Sequence, residues 1–180
     1  MILHLVRHPP PRVAPGTCYG RLDVAAEAVG ATAQRLRQLL PPGLPVWSSP
    51  LRRCRDLAAC LHPAPLLDAR LQEMHFGDWE GLAWEAIGAA ALDAWAADVA
   101  GFAPPGGESA RELQARCLAF VAELAVPEAV LVTHGGVLRM LLAHWLQVPP
   151  AQWTTLTFDY GTVTTVAVAA GEGRVLRLNR

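Results

Sequence analysis

Short apolar runs alternate along the chain with segments of helical composition. Strands are predicted where an apolar run stops at polar or turn-forming residues, in ILHLV (2–6), PVWSSP, AVLVTHGG and, as a minor strand, Leu66-Leu67. Helices are predicted over residues 27–40, 50–61, 84–99, 109–125 and 137–146. The tail from about Thr154 to Leu178 alternates in β-rich runs and predicts two or three strands. This alternation is typical of an α/β sandwich with a mostly parallel sheet.

Turn and cap residues separate these elements. The run Pro41-Pro42-Gly43 ends the first helix, and Ser49 is predicted to be the N-cap of the second, with Pro50 at its first position. Glu108-Ser109 fit the start of a later helix. The loop from His8 to about Asp23 is rich in Pro and Gly and long for a compact domain, which indicates a functional loop.

Composition narrows the class of protein. With 180 residues, 52% of them hydrophobic, the chain fits one globular domain over residues 1–180. Its net charge of −1 offers no basic field for nucleic acid or an anionic membrane, and the absence of lysine excludes Schiff-base and P-loop chemistry. Four cysteines without a C-x-x-C pair, and no signal-like or membrane-length apolar run, predict a cytoplasmic protein. A homo-oligomer is left open.

Catalytically capable residues stand where strands end or loops begin. Arg7-His8 follows ILHLV, Arg52-Arg53 lie in the first turn after VWSS, Glu73 lies in LQEMHFGDWEG, and His134 follows AVLVT. Ligands of doubly wound sheets bind beyond the carboxyl ends of the strands, so His8 and His134 meet there if their strands are neighbours. Two histidines, arginines and one carboxylate are what phosphoryl transfer through histidine requires. No metal is expected, because the sequence has no H-E-x-x-H motif and no Cys/His cluster.

Four stretches carry a resemblance to a known family. LVRH, SSPLRRCRDLA, LQEMHFGDWEG and VLVTHGGVLRMLLA occur in this order from residue 3 to about 143. Together they resemble the signatures of the histidine phosphatase superfamily, also called phosphoglycerate-mutase-like. The resemblance implies a three-layer α/β/α sandwich with a mostly parallel central sheet, and an enzyme that forms a phosphohistidine without metal or cofactor.

The resemblance also implies roles for individual residues. His8 matches the nucleophile, and Arg7 matches the arginine beside it that binds the phosphoryl group. The family pattern S-P-L-x-R places the second arginine at Arg53, not at Arg52. His134 matches the second histidine, a phosphate ligand, and Glu73 matches the proton donor to the leaving group. Backbone N–H groups of THGG, with Gly135, add an anion site at a helix start.

Finer features are similar to α-ribazole phosphatases, which act late in cobalamin assembly. These features are GTCYGRLDV, EMHFGDWEG, PPGGES and the ending FDYGTVTTVAV. The expected partner is therefore a small phosphorylated substrate, α-ribazole 5′-phosphate. Alternatives are a phosphatase of other or broad specificity, a phosphohistidine phosphatase, a phosphoglycerate mutase, or an inactive phosphate-binding module on the same fold.

One departure from the family lies directly after the nucleophile. The family commonly continues R-H with Gly, a polar residue and Thr, whereas this chain has Pro9, Pro10 and Pro11. A hydroxyl and three backbone donors are therefore missing. The candidate replacements in the loop are Arg12, Thr17, Tyr19 and Arg21. His75, two residues after Glu73, is a further candidate substrate contact. The tryptophans that follow Glu73 are interpreted as packing residues, with an aromatic slot for a planar base as the alternative.

Overall fold

The computed structural model describes residues 1–180 and has a six-stranded sheet at its centre. The strands are β1 (Ile2–Arg7), β2 (Val46–Ser48), β3 (Leu66–Leu67), β4 (Glu128–Thr133), β5 (Val163–Ala169) and β6 (Glu172–Arg177). Their order is β3-β2-β4-β1-β5-β6, with parallel pairing from β3 to β1 and antiparallel pairing of β5 and β6 at the other edge. The sheet is therefore mostly parallel, as predicted.

The C-terminal tail forms two strands, within the two or three predicted. The 3₁₀ turn Pro150–Thr155 ends where the predicted β-rich tail begins. A tight turn at Ala170 and Gly171, with φ values of 51° and 82°, then joins β5 to β6. Positive φ at both central residues matches the twist of a β-hairpin, which explains why this pair is antiparallel.

Helices cover both faces of the sheet. They are α1 (Val29–Leu39), α2 (Arg52–Leu61), α3 (Trp84–Ile87), α4 (Ala89–Ala97), α5 (Ala110–Ala122) and α6 (Gly135–Trp145). The single helix predicted over 84–99 is wrong, because Gly88 takes φ +91° and separates α3 from α4. None of these helices is both long enough and apolar enough to cross a bilayer.

Two helix starts test the cap predictions in opposite ways. Ser109 caps α5, and its hydroxyl and the Glu112 carboxylate form a capping box. The prediction for Ser49 is wrong, because α2 starts later, at Arg52, and its N-cap is Leu51, which provides no side-chain hydrogen bond. Within its own segment the Ser49 hydroxyl only accepts the Leu51 N–H at 3.3 Å, so its proton and a second lone pair remain for other partners.

Alternation along the central strands builds a core on each face. Leu3 and Leu5 of β1 pack with α5 and α6, whereas Val6 faces the other way and packs with α1 and α2. Adjacent β4 residues divide in the same manner between the two clusters. The result is a three-layer α/β/α sandwich, the arrangement that parallel strands require because both of their faces are buried.

The register of β1 and β4 determines where the polar strand ends lie. Arg7 is paired with Thr133, and the His8 N–H donates to the Thr133 carbonyl at 3.0 Å. His8 and His134 therefore leave neighbouring parallel strands side by side. Ser49 joins them from β2, because its N–H donates to the carbonyl of Val132 at 3.0 Å. The expectation that the two histidine-bearing strands are neighbours is confirmed.

Candidate active site

His8 is fully buried and has one free ring nitrogen. Its Nδ1 lies 2.6 Å from the carbonyl oxygen of Pro9. A carbonyl can only accept, so Nδ1 carries the proton and the lone pair of the neutral ring is on Nε2. Nε2 is buried without a hydrogen-bond partner. Burial, with repulsion from Arg53 and Arg7, holds the pKa of His8 well below its ordinary value. His8 is thus a neutral imidazole with an unused lone pair.

Arg7 lies flat against an aromatic ring beside His8. Its Nη1 donates to the Phe158 carbonyl at 2.5 Å, and the guanidinium carbon is 3.6 Å from the ring centroid of Tyr160. Its Nε is buried without a partner. The guanidinium also rests against the start of α6, because a Cβ built on Gly135 would lie 3.2 Å from Nε. Glycine at this position gives the guanidinium its space.

Arg53 is the most deeply buried arginine, with no exposed surface. It donates to the carbonyls of Leu22 at 2.7 Å and Gly20 at 2.5 Å, and through Nε to His134 Nδ1 at 3.2 Å. A guanidinium has five N–H groups, so two remain for a ligand. Arg52, by contrast, is exposed, and only its backbone N–H is used, by Asp23. The structure therefore brings Arg53, and not Arg52, into the cluster.

His134 is held by partners at both ring nitrogens. Because Nδ1 accepts from Arg53, Nε2 carries the proton and donates to Ser49 Oγ at 2.8 Å. The His134 and His8 ring centroids are 5.1 Å apart. Burial first and Arg53 second lower the pKa of His134 well below its ordinary value, so it is neutral in the free protein. Ser49 was missed as a site residue because its local sequence favoured a helix cap.

Glu73 is bound at the start of α6. Its two carboxylate oxygens accept N–H groups from Met74 and Gly136, each at 3.0 Å. A Cβ built on Gly136 would lie 2.2 Å from Glu73 Oε1, so the carboxylate reaches this place only because residue 136 is glycine. The N–H of Gly136 in the THGG segment therefore binds a carboxylate of the protein itself, while Gly135, the first residue of α6, keeps its N–H outside the helix bonding.

The loop that carries Glu73 is fixed from α5. Arg116 donates to the Glu73 carbonyl at 3.0 Å and forms an ion pair with Glu108 at 2.6 Å. Glu108 also accepts the His75 N–H and pairs with Arg21 at 3.2 Å. Glu108, interpreted from the sequence as part of a helix start, thus ties together the Glu73 loop, α5 and the Arg21 loop.

Tyr19, one of the predicted loop contacts, has its ring close to that of His8. Its ring centroid is 6.4 Å from that of His8, and the Arg53 guanidinium lies over the ring at 5.1 Å. Its hydroxyl is hydrogen-bonded to that of Tyr160 at 2.8 Å, and the Tyr160 ring is 5.5 Å from His8. Burial and this hydrogen bond raise the pKa of Tyr19. Two tyrosine rings therefore lie close to the His8 ring, and their hydroxyls are bonded to each other.

The other predicted loop contacts lie elsewhere. Arg12 is exposed, and only its backbone bonds, to Ala25. Thr17 forms a backbone bridge with Ala83, and His75 contacts Glu108 through its backbone. None of the hydrogen bonds or ring contacts of the cluster involves these three side chains. Arg21 reaches only the edge of the site, through Glu108.

The two arginines beside His8 lack the carboxylate partners that other partly buried arginines have. The partly buried arginines Arg21, Arg70 and Arg116 each pair with a carboxylate. Neither Arg7 nor Arg53 has such a partner. Buried charges are costly unless they are paired, so two unpaired guanidiniums beside a free imidazole nitrogen form a site for an anion.

Comparison with known proteins agrees with this chemistry. Residues 3–180 match the family described as Histidine phosphatase superfamily (branch 1). The chain belongs to the histidine phosphatase superfamily. Glucosyl-3-phosphoglycerate phosphatase of Mycobacterium tuberculosis is 38% identical over 159 residues, which are 76% of this chain and 71% of that protein. As a member of the histidine phosphatase superfamily with such relatives, the chain is a phosphatase.

A solved structure and a plant relative extend the comparison. The native structure of mycobacterial glucosyl-3-phosphoglycerate phosphatase superimposes with a TM-score of 0.87 at 30% identity, and covers 99% of this chain and 98% of its own. The metal-independent phosphoserine phosphatase of Arabidopsis thaliana is 30% identical over 146 residues, 71% of this chain and 61% of that protein. The histidine phosphatase superfamily fold is thus shared over nearly the whole length.

Proposed function

We propose that the protein hydrolyses a small organic phosphomonoester through a phosphohistidine on His8. The observation that carries the proposal is the buried, unpartnered Nε2 of His8 between two arginines without carboxylate partners. A neutral nitrogen with a free lone pair is a nucleophile, and unpaired guanidiniums match the phosphoryl oxygens.

The first step transfers the phosphoryl group to the protein. The lone pair of His8 Nε2 forms a bond to phosphorus as the bond from phosphorus to the ester oxygen breaks. Arg7 and Arg53 offset the charge on the phosphoryl oxygens. The leaving oxygen takes a proton from the carboxylic acid form of Glu73, and an alcohol departs.

The second step returns His8 to its starting state. Water attacks the phosphorus of the phosphohistidine, and the Glu73 carboxylate accepts the proton that the water loses. The bond between phosphorus and Nε2 breaks, and inorganic phosphate leaves. Glu73 is acid and then base, so the cycle closes with no net change in the protein.

His134 and the two tyrosines complete the phosphoryl site in this proposal. In the free protein His134 is neutral and bound to Ser49 and Arg53. A dianionic phosphoryl group beside it would favour the protonated form, a donor at both nitrogens, for which Nδ1 must give up the hydrogen bond from Arg53. The hydroxyls of Tyr19 and Tyr160, on rings that lie close to His8, add donors that the three prolines after it lack.

Two substrate classes are supported by different observations. Similarity in GTCYGRLDV, PPGGES and the C-terminal strands supports α-ribazole 5′-phosphate. The relatives named for glucosyl-3-phosphoglycerate and for phosphoserine support a phosphomonoester whose alcohol carries a carboxylate. The second class has the support of measurable identity over most of the chain.

The test begins with p-nitrophenyl phosphate. His8→Ala should abolish its hydrolysis, whereas His144→Ala, which removes an exposed histidine of α6, should not. Rapid quenching should trap a phosphoryl label on the wild-type protein that is stable in base and lost in acid. Activity that survives His8→Ala would contradict the mechanism. Comparison of kcat/KM for α-ribazole 5′-phosphate, glucosyl-3-phosphoglycerate, phosphoserine and fructose bisphosphate then ranks the substrate classes.

A further inference from the structure

A cavity of about 260 Å³ opens beside Glu73. Its walls are mostly apolar and come from α4, α5, α6 and the loops around them, and they include Met74, Trp95, Gly136 and Arg139. Met74 and Gly136 are the two residues whose N–H groups hold the Glu73 carboxylate. The cavity is therefore lined by the residues that hold the group that would protonate a leaving alcohol.

Arg139 is the charged residue of this cavity. It is only partly exposed, and its one hydrogen bond runs from Nε to the carbonyl of Leu156 at 3.1 Å. No carboxylate pairs with it, which makes it the third arginine of this kind after Arg7 and Arg53. The other partly buried arginines all have carboxylate partners. An unpaired guanidinium in an apolar wall is expected to bind an anion, since it has four N–H groups left.

Trp95, a second wall residue of this cavity, also has an unused donor. Its ring is stacked on Trp84 at 5.7 Å between centroids and meets Phe76 edge to face. Its Nε1 is buried without a partner. Buried indole N–H groups usually have an acceptor, so this one marks a place where a ligand atom would be satisfied.

We propose that this cavity receives the alcohol part of the substrate and that Arg139, with the Trp95 N–H, binds a carboxylate on it. The inference rests on the proposed phosphatase function. Gly135 lies against Arg7, and Arg139 is four residues further along α6, roughly 6 Å along the helix axis. A short carbon chain is enough to join a phosphoryl group at Arg7 to a carboxylate at Arg139.

Two small substrates that differ at one group test this proposal. In 3-phosphoglycerate a carboxylate stands where glycerol 3-phosphate has a hydroxymethyl group. We expect kcat/KM to favour 3-phosphoglycerate by about tenfold to a hundredfold, the range for one hydrogen-bonded charge pair. Arg139→Gln should reduce this ratio towards one, and Trp95→Phe should reduce it partly. Arg111→Gln, which removes an exposed guanidinium from α5, is the matched control and should keep the ratio.

The outcomes separate the two proposals. A ratio near one in the wild type, together with hydrolysis that depends on His8, overturns carboxylate binding and leaves the phosphatase mechanism standing. If none of the three compounds, the two substrates and p-nitrophenyl phosphate, is hydrolysed in a way that depends on His8, the mechanism itself is overturned. If Arg139→Gln does not fold, Trp95→Phe decides: an unchanged ratio counts against the cavity, and a reduced ratio supports it.

Discussion

Replacement of Gly136 by alanine tests the assignment of Glu73 as the proton donor. Gly136 is the second residue of α6, and a Cβ there would lie 2.2 Å from Glu73 Oε1 and 3.1 Å from its carboxyl carbon. The carboxylate must retreat by roughly 1 Å to reach van der Waals distance. That displacement also weakens its hydrogen bond to the Gly136 N–H. The substitution therefore moves one catalytic group and leaves the phosphoryl-binding residues in place.

The size of the effect depends on the leaving group. A positioned general acid contributes about 10²–10⁴-fold, and a misplacement of about 1 Å costs on the order of 10²-fold. We expect kcat for an alkyl phosphate such as glycerol 3-phosphate to fall by about 10²-fold. For p-nitrophenyl phosphate, whose leaving group needs little protonation, the loss should stay below about tenfold.

Stability gives an independent reading of the same variant. Alanine in a helix gains about 0.5–1 kcal/mol over glycine, which offsets part of the lost hydrogen bond. The free energy of unfolding in urea should therefore change by no more than about 1 kcal/mol. Gly30→Ala is the matched control, because Gly30 is the second residue of α1 and nothing lies within 4 Å of its Cβ. Equal losses for both substrates, or none for either, would refute the role given to Glu73.

Three further expectations concern the residues around His8. Ser49→Ala removes the acceptor of the His134 N–H and should lower kcat/KM about fivefold. The control Ser48→Ala removes a buried hydroxyl that is bonded only to the Ser49 carbonyl, and it should affect stability alone. Equal activity of the two variants contradicts this expectation. Tyr160→Phe keeps the ring over Arg7 and should cost less than about tenfold in kcat/KM, and Tyr160→Ala about tenfold more, because it also removes the cation–π contact. Steady-state assays with p-nitrophenyl phosphate distinguish these cases, and wild-type values for Tyr160→Ala refute the contact. The lowered pKa values of His8 and His134 mean that the unfolded chain binds protons first as pH falls. Stability is therefore full above about pH 6.5 and falls below it by about 1.4 kcal/mol per pH unit for each histidine. Urea unfolding at pH 7.5, 6 and 5 measures the slope, which should be shallower in His8→Ala; a flat profile contradicts the burial of two neutral histidines.

The sequence predicted the catalytic cluster because its members stand at the ends of strands. Arg7, His8 and His134 follow apolar runs, and parallel strands bring such ends together. Their neighbourhood follows from topology alone. The same reasoning could not find Ser49 as a partner of His134, because a local pattern with an equally good physical basis, a serine before proline, predicted a helix cap. In the structure the Ser49 hydroxyl accepts from His134 and does not cap the helix.

Sequence patterns could not identify the site residues that come from distant segments of the chain. Tyr160 meets Tyr19 across a sequence separation of 141 residues, and nothing local marks it as a site residue. Arg139 looks like any arginine on an amphipathic helix until its lack of a carboxylate partner is seen. The motifs specify the phosphoryl chemistry, whereas the side chains that we propose for the leaving group are scattered along the sequence. This is why the reaction type was predictable and the substrate was not.

Pro9, Pro10 and Pro11 affect the chain before it folds as well as after. Each ring fixes φ, so the segment after the nucleophile has few conformations to lose on folding. The carbonyl oxygen of Pro9 accepts a hydrogen bond from His8 Nδ1. Accepting is the only role open to a proline backbone, because it has no N–H. The tautomer of the nucleophile is thus set by a segment that has little entropy and no alternative donor. The His8 ring is therefore preorganised by prolines that have no N–H groups and little backbone freedom.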